Sequence, residues 1–219
     1  SGSTDNVVKY IHEARTHGIE VLPPDVNISL RRFTVDYNVD LATRRRRQFR
    51  NTAYGKIRFG LGAIKGLGDA ALESIIEIRQ QDGPFESLYN FCERMAHAKV
   101  NKKIVEVLVK SGAMDSFEHE RAELFGTVER ALDRANAAKR DALSGQTSMF
   151  ATFAESSPPA ATQETYANVP GWSEKERLGY ERESLGFYLS GHPLDRYIDE
   201  AKRMGAIPTV ELVHQKHNS

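Results

Sequence analysis

One cysteine, Cys92, stands among the 219 residues, so the chain can build neither an internal disulfide framework nor a cysteine-based zinc site. No apolar run approaches the roughly 20 residues a helix needs to cross a bilayer. Net charge is missing too. Thirty basic groups balance 30 acidic ones, and with 40% apolar residues the chain is neither an acidic tail protein, a collagen nor a low-complexity segment. Metal-site patterns are also absent. The seven histidines, His12, His17, His97, His119, His192, His214 and His217, show no ligand-like spacing, and no close group of carboxylates offers to hold two metal ions. Ser1-Gly2-Ser3-Thr4 is polar, carries no signal core and reads as an appended remnant. The expectation is a soluble, intracellular chain with length enough for one large domain or two small ones.

The zero net charge hides an asymmetry. Residues 1–60 carry 11 Lys/Arg against 6 Asp/Glu, residues 61–150 carry 12 against 14, and residues 151–219 carry 7 against 10. Most of the early excess is Arg44-Arg45-Arg46-Arg47, with Arg50, Lys56 and Arg58 nearby. Such a block is either a solvated loop or a contact for a polyanion such as a nucleic acid.

Punctuation divides the chain. Residues 5–17 place Val7, Val8, Ile11 and Ala14 at helical spacing, with Gly18 as the stop. Ile19–Leu22 reads as a short extended run closed by Pro23-Pro24. Phe33–Tyr37 and Lys56–Phe59 read as two strands of a small β-hairpin across the arginine-rich loop 38–54. From 61 to 142 the pattern is helical, broken at Gly66-Gly68, Gly83-Pro84 and Ser111-Gly112. Its longest helix is expected over 118–142, with Leu124, Val128, Ala131, Leu132 and Ala135 on one face. Residues 151–170 are rich in Ala, Ser, Thr and Pro, a linker or a surface strap. Helical pattern returns over Ser173–Leu189, opened by the capping-box spacing of Ser173 and Glu176, and again over Asp195–Met204.

The most specific feature is the run Phe59-Gly60-Leu61-Gly62-Ala63-Ile64-Lys65-Gly66-Leu67-Gly68-Asp69-Ala70-Ala71. A helical turn, Gly66-Leu67-Gly68 and a helix through Leu72, Ile75 and Ile76 make a hairpin. Leu67 turns inward, and the glycines permit positive φ and close approach. Backbone N–H groups at the start of the second helix would then hold a phosphate oxygen, with Lys65 adding charge. That is backbone contact to DNA without base reading. A dinucleotide fingerprint fails here for want of register and a strand-helix-strand unit, and a nucleotide-hydrolase phosphate loop fails because Lys65-Gly66 is in the wrong order. A plain packing turn that binds nothing stands as the alternative. A second, weaker hairpin is read at Asn101–Lys110, Ser111-Gly112-Ala113 and the helix beyond, with Lys102, Lys103 and Lys110 on a polar side that serves DNA or only solvent.

Gly145-Gln146-Thr147-Ser148-Met149-Phe150 lies where the long helix gives way to the Pro/Ala/Ser region. Met149 and Phe150 would fill a pocket on a partner while Gln146 hydrogen-bonds at its edge, or they would fold back as a staple on the long helix.

Several of these segments together resemble one family. Tyr10–Arg15 through Gly18–Asn27, the hairpin Gly60–Gly68, Lys110–Asp115 and Glu183–Leu194 are similar, in order, to the distal fingers and following region of the α subunit of bacterial replicative DNA polymerase III. The resemblance covers residues 7–212. It implies that the hairpin region binds duplex DNA behind the polymerase site and that Gln146, Ser148, Met149 and Phe150 bind the β sliding clamp, Thr147 departing from the larger apolar residue common there. Loop 38–54 is longer and more basic than the family leads one to expect. The resemblance also implies contacts with other replicase subunits through the parent chain and a bacterial cytoplasmic location. The parent would be a DNA-directed DNA polymerase using a divalent metal, Mg expected. The palm aspartates and the histidine-rich metal site of that family have no counterpart here, so this chain is expected to have no catalysis and no cofactor of its own.

The expected fold is mainly α, a tandem helix-hairpin-helix module with a small β-hairpin on its N-terminal side. Residues 1–58 form the distal fingers segment, 59–142 the DNA-binding module with Lys65, Gly66, Leu67, Gly68, Lys102 and Lys103, and 143–219 the clamp motif and helices leading to a following domain. Arg44–Arg47 join the DNA-binding set. The rivals are a helix-hairpin-helix repair enzyme such as a glycosylase, for which Asp82 is the nearby acid, and a purely structural helical module.

Overall fold

The computed structural model describes residues 2–36, 55–98, 100–143 and 163–205. Helix α1 spans Gly2–Thr16, beginning before Asp5, and Gly18 stops it at a φ of +72°. Of its apolar stripe, Ile11 is buried, whereas Val8 is exposed. Strands β1 (Val21–Leu22), β2 (Thr34–Asp36) and β3 (Lys56–Arg58) follow. The expected hairpin of β2 and β3 is present as an antiparallel pair, Val35 opposite Ile57. It is completed by β1, which lies parallel to β3 with Val21 opposite Ile57, so the sheet order is β1-β3-β2. The extended run read at Ile19–Leu22 contains this strand, but two residues before a double proline give no signal of the partner they pair with.

Helices α2 (Asp69–Asp82), α3 (Leu88–Arg94), α4 (Lys102–Lys110) and α5 (Arg121–Leu143) make the body, with α6 (Glu174–Leu185) and the short α7 (Ile198–Arg203) after them. Side-chain caps open three of these. Ser87 Oγ accepts from Asn90 N–H at 3.0 Å, Asn101 Oδ1 from Ile104 N–H at 3.1 Å, and Ser173 with Glu176 forms the anticipated capping box. Helix α6 ends at Leu185 rather than Leu189, because Gly186 takes a φ of +94° and turns the chain. The core joins Leu88, Phe91 and Cys92 of α3 with Met95 just after it, Val105, Leu108 and Val109 of α4, and Leu124, Val128, Ala131 and Ala135 of α5. The helical face read in α5 is therefore the buried one, with Leu132 at its edge.

Residues 163–172 are a surface strap along α5. Ala167 N–H donates to Thr127 Oγ1 at 2.8 Å, Arg130 Nη1 to Thr165 O at 3.1 Å, and Tyr89 Oη to the same carbonyl at 2.6 Å. Ring packing secures the strap: Tyr166 stacks on His119 at 3.6 Å, and Trp172 meets Phe125 and Tyr180.

The segment between β1 and β2 is held by α2. Arg79, buried, donates to Val26 O and to Ser29 O, both at 2.6 Å. Burial lowers its pKa and the Asp25 carboxylate partly restores it. Asn27 adds a two-way amide contact with the backbone of Phe85, at 2.9 and 2.7 Å. Val26 N–H donates to Ala113 O at 2.8 Å.

Two outcomes follow for stability. Arg79→Leu leaves two buried carbonyls without donors and should cost about 2–6 kcal/mol, at 1–3 kcal/mol for each unsatisfied group, read as a lower urea midpoint. Burial, with Glu93 alongside, pushes the Cys92 thiol from 9.0 to about 12. The native thiol should therefore ignore a thiol reagent at pH 8 and react on unfolding. Its contribution to stability is complete below pH 9 and is lost as pH rises through about 12, because the unfolded chain ionises first.

Candidate nucleic-acid interface

The glycine run divides into two pairs with different tasks. A Cβ on Gly60 would lie 2.5 Å from the Arg32 backbone and 2.7 Å from Arg31 O, and one on Gly62 would lie 2.7 Å from Arg31 O. These glycines let the turn press against residues 30–32, where Leu61 N–H donates to Leu30 O at 2.9 Å and Gly62 N–H to Arg31 O at 3.0 Å. The first helix of the hairpin is consequently only a 3-10 turn, Leu61–Ala63, and Ile64 returns to extended backbone.

Gly66 and Gly68 are different. A Cβ at either would meet nothing within 4 Å. Gly66 needs its glycine for a φ of +87°, whereas Gly68, the N-cap of α2, has φ −68° and ψ 154°, open to any residue. Leu67 between them is buried, turned inward as its spacing demands. Lys65, Gly66, Gly68, Asp69 and Ala70 are exposed. Lys65 N–H is already taken by Ser184 O at 2.7 Å, which ties the turn to the end of α6. Leu67 N–H turns back to Ile64 O at 3.3 Å and Ala71 is buried, but among the described residues the N–H groups of exposed Gly66, Gly68, Asp69 and Ala70 have no acceptor. A bare loop and the first turn of a 14-residue helix thus present free donors and the positive end of a helix dipole to solvent.

The second turn resembles the first in sequence and differs in its hydrogen bonding. Gly112 also has positive φ, at +79°. Its N–H donates to Val109 O at 3.0 Å, Ala113 N–H to Leu108 O at 3.0 Å and Asp115 N–H to Gly112 O at 3.2 Å. Ser111, Ala113 and Met114 are buried, and the Arg121 guanidinium lies where a Cβ on Gly112 would go. Arg121 holds Asp115 through both carboxylate oxygens, at 2.7 and 2.6 Å, and reaches Glu181 at 3.2 Å. Burial lowers the Arg121 pKa, but Asp115 and Glu181 outweigh it and hold the guanidinium above its ordinary value. Glu181, itself buried, takes the N–H groups of Leu189 and Ser190 at 2.8 and 2.9 Å. This turn is a structural junction in which the N–H groups of Ser111, Gly112, Ala113 and Asp115 are occupied.

The lysines near it are placed accordingly. Lys102 pairs with Glu129 at 2.9 Å, which raises its pKa mainly through that hydrogen bond, and Lys103 is exposed. Lys110, only 17% exposed, pairs with Glu183 at 3.0 Å and lies over the Phe125 and Tyr180 rings, so it belongs to the packing. Arg44, Arg45, Arg46 and Arg47 lie outside the described residues, as do Gln146, Ser148, Met149 and Phe150. Among the described residues no group of three or more His, Cys, Asp or Glu is arranged to hold a metal ion, and no helix is long and apolar enough to cross a membrane.

Sequence reasoning missed Arg31. Its guanidinium bridges Asp69 at 2.7 Å and Glu73 at 2.8 Å on the first turns of α2. The partners stand 38 and 42 residues apart in the chain, beyond any local pattern.

Comparison with known proteins agrees with this geometry. The family described as helix-hairpin-helix motif matches residues 18–124, which include both turns. The DNA polymerase III subunit alpha of Vibrio cholerae is 38% identical over 198 residues, 90% of this chain and 16% of that protein. Those of Pasteurella multocida and Escherichia coli K12 are 36% identical over 211 residues and 37% over 202, covering 96% and 92% of this chain and 17% and 16% of theirs. The chain therefore spans about a sixth of the length of these relatives. With the likeness running through nearly all of its residues and the helix-hairpin-helix match inside it, the chain belongs, as one stretch, to the DNA polymerase III α-subunit family.

Proposed function

We propose that this chain is the duplex-gripping and clamp-tethering region of a bacterial replicative DNA polymerase. The observation that carries the reading is the set of exposed N–H donors at Gly66, Gly68, Asp69 and Ala70, which find no acceptor among the described residues, beside a glycine, Gly68, that the backbone does not require. A site kept clear of side chains, lined with donors and placed at a helix N-terminus suits a phosphate oxygen, and a backbone phosphate carries no base identity. Lys65 supplies a charge at the same edge. The basic loop bearing Arg44–Arg47 and the exposed Lys102 and Lys103 extend the contact along the duplex in this reading, though Lys102 has first to leave Glu129.

Tethering is assigned to Gln146, Ser148, Met149 and Phe150, which dock on the β sliding clamp. Support comes from the family and from how the ends of the connecting segment are held. Helix α5 ends at Leu143 and the strap is fixed back along α5 from Thr165, so in the chain the motif lies between two elements that contact each other. A peptide held this way needs only modest affinity, because attachment of the ring raises its effective concentration at the DNA. Nucleotidyl transfer, with its divalent metal, is placed in the parent chain outside this region, together with contacts to other replicase subunits, in the bacterial cytoplasm.

Gly68→Val should leave the melting temperature nearly unchanged and weaken binding of a fluorescently labelled duplex at low salt by about tenfold or more, since one good charged hydrogen bond is worth about 1.5–3 kcal/mol. Gly66→Val should weaken it as well and also destabilise the fold by about 1–2 kcal/mol, the cost of a branched residue at positive φ. Duplex binding that survives Gly68→Val would return the hairpin to a packing role. Titration against purified β clamp should show micromolar binding that Met149→Ala/Phe150→Ala abolishes. Equal binding by the double variant would remove the linear motif from the proposal and leave the DNA grip standing.

A further inference from the structure

Two carboxylates stand at the mouth of the donor row. Asp69 is the first residue of α2, and Glu73 follows one turn later on the same side, with side chains 80% and 61% exposed. Acids suit a helix N-terminus, yet here they face the approach of an anion. Arg31 answers both, with Nη1 2.7 Å from Asp69 Oδ1 and Nη2 2.8 Å from Glu73 Oε1. Its backbone is set by the other arm of the hairpin, because Arg31 O accepts from Gly62 N–H at 3.0 Å and only a glycine fits at that contact. Residue 31 is thus locked to the 3-10 turn while its side chain crosses to the second helix. Exposed ion pairs of this kind add little to stability, so the fold gives small reason for the arrangement.

We infer that Arg31 is the charge-compensating residue of the phosphate grip, an inference that rests on reading Gly66–Ala70 as that grip. Lys65, Arg31, Asp69 and Glu73 together carry no net charge, so the free N–H groups and the helix dipole set the local potential. Without Arg31 the same four positions carry one net negative charge, and a phosphate is repelled at the short range where screening is weakest. Arg31 acts through the carboxylates and is a positioning residue.

The test is a set of duplex titrations by fluorescence anisotropy across a salt series, with melting curves for each variant of the chain. Arg31→Gln should weaken binding by about 3- to 10-fold at low salt, the scale of a surface charge at a helix terminus, with the loss shrinking as salt rises. Asp69→Asn/Glu73→Gln should bind as well as the native chain or better. The triple variant Arg31→Gln/Asp69→Asn/Glu73→Gln should recover near-native affinity, and that recovery separates compensation from direct contact. Unchanged affinity in Arg31→Gln overturns the inference. So does a loss that persists in the triple variant with a salt slope lower by about one, the mark of a lost phosphate contact. Gly68→Val is run alongside. If it binds normally, the hairpin reading fails and the role of Arg31 fails with it. If it loses binding while Arg31→Gln does not, only the role of Arg31 is lost.

Discussion

The placement of the hairpin depends on Arg79. Its two short donations to the carbonyls of Val26 and Ser29 fix the turn after β1 against α2, and the next residues, Leu30 and Arg31, then offer their carbonyls to Leu61 and Gly62. A guanidinium is the side chain suited to this junction, since it satisfies two buried carbonyls from one planar fork and stays charged. From that contact the order runs outward. The 3-10 turn seats on residues 30–32, Leu67 enters the core, and Gly66 and Gly68 are left facing solvent at the start of α2. The free donors are thus the consequence of a buried polar contact about two turns further along the same helix.

The two glycine turns show how little sequence similarity says about the state of a backbone. Both contain a glycine at positive φ before a helix or helical turn, and both belong to the stretch matched as helix-hairpin-helix. At the first turn the N–H groups of Gly66, Gly68, Asp69 and Ala70 find no acceptor among the described residues. At the second, those of Ser111, Gly112, Ala113 and Asp115 are bonded inside, and Arg121 covers the turn on its way to Asp115 and Glu181. Three charged groups at one junction are costly to desolvate, and here they are offset by a bidentate pairing and by two backbone N–H groups on Glu181. Tandem hairpins in this chain are therefore unequal partners, one open to an anion and one closed into the packing that carries α6.

The strap over α5 links the body to the proposed tether. Its polar backbone is satisfied by Thr127, Tyr89 and Arg130, and its rings are absorbed by His119, Phe125 and Tyr180. Under the proposed function, a motif that lies between α5 and this fixed strap is held in the same chain as the proposed DNA grip, and that link sets its effective concentration.

Local chemistry wrote much of this protein into its sequence. Helical spacing located the buried face of α5, Ser173 and Glu176 announced the start of α6, Gly18 marked the stop of α1, and Gly66, though not Gly68, sits where the backbone needs positive φ. The proposed grip is legible because its geometry is made of consecutive residues, Lys65 to Ala70, with Leu67 buried and the others facing solvent. What tertiary structure alone decided is the part built from distant partners. The parallel pairing of β1 with β3, the hold of Arg79 on residues 26–29, the closure of the second turn by Arg121 and Glu181, and the bridge from Arg31 to Asp69 and Glu73 each join residues far apart in the chain. Periodicity and capping report on neighbours within a turn or two. Which carboxylate faces which guanidinium, and whether an N–H is left free, depends on how separate elements pack, and only the fold fixes that.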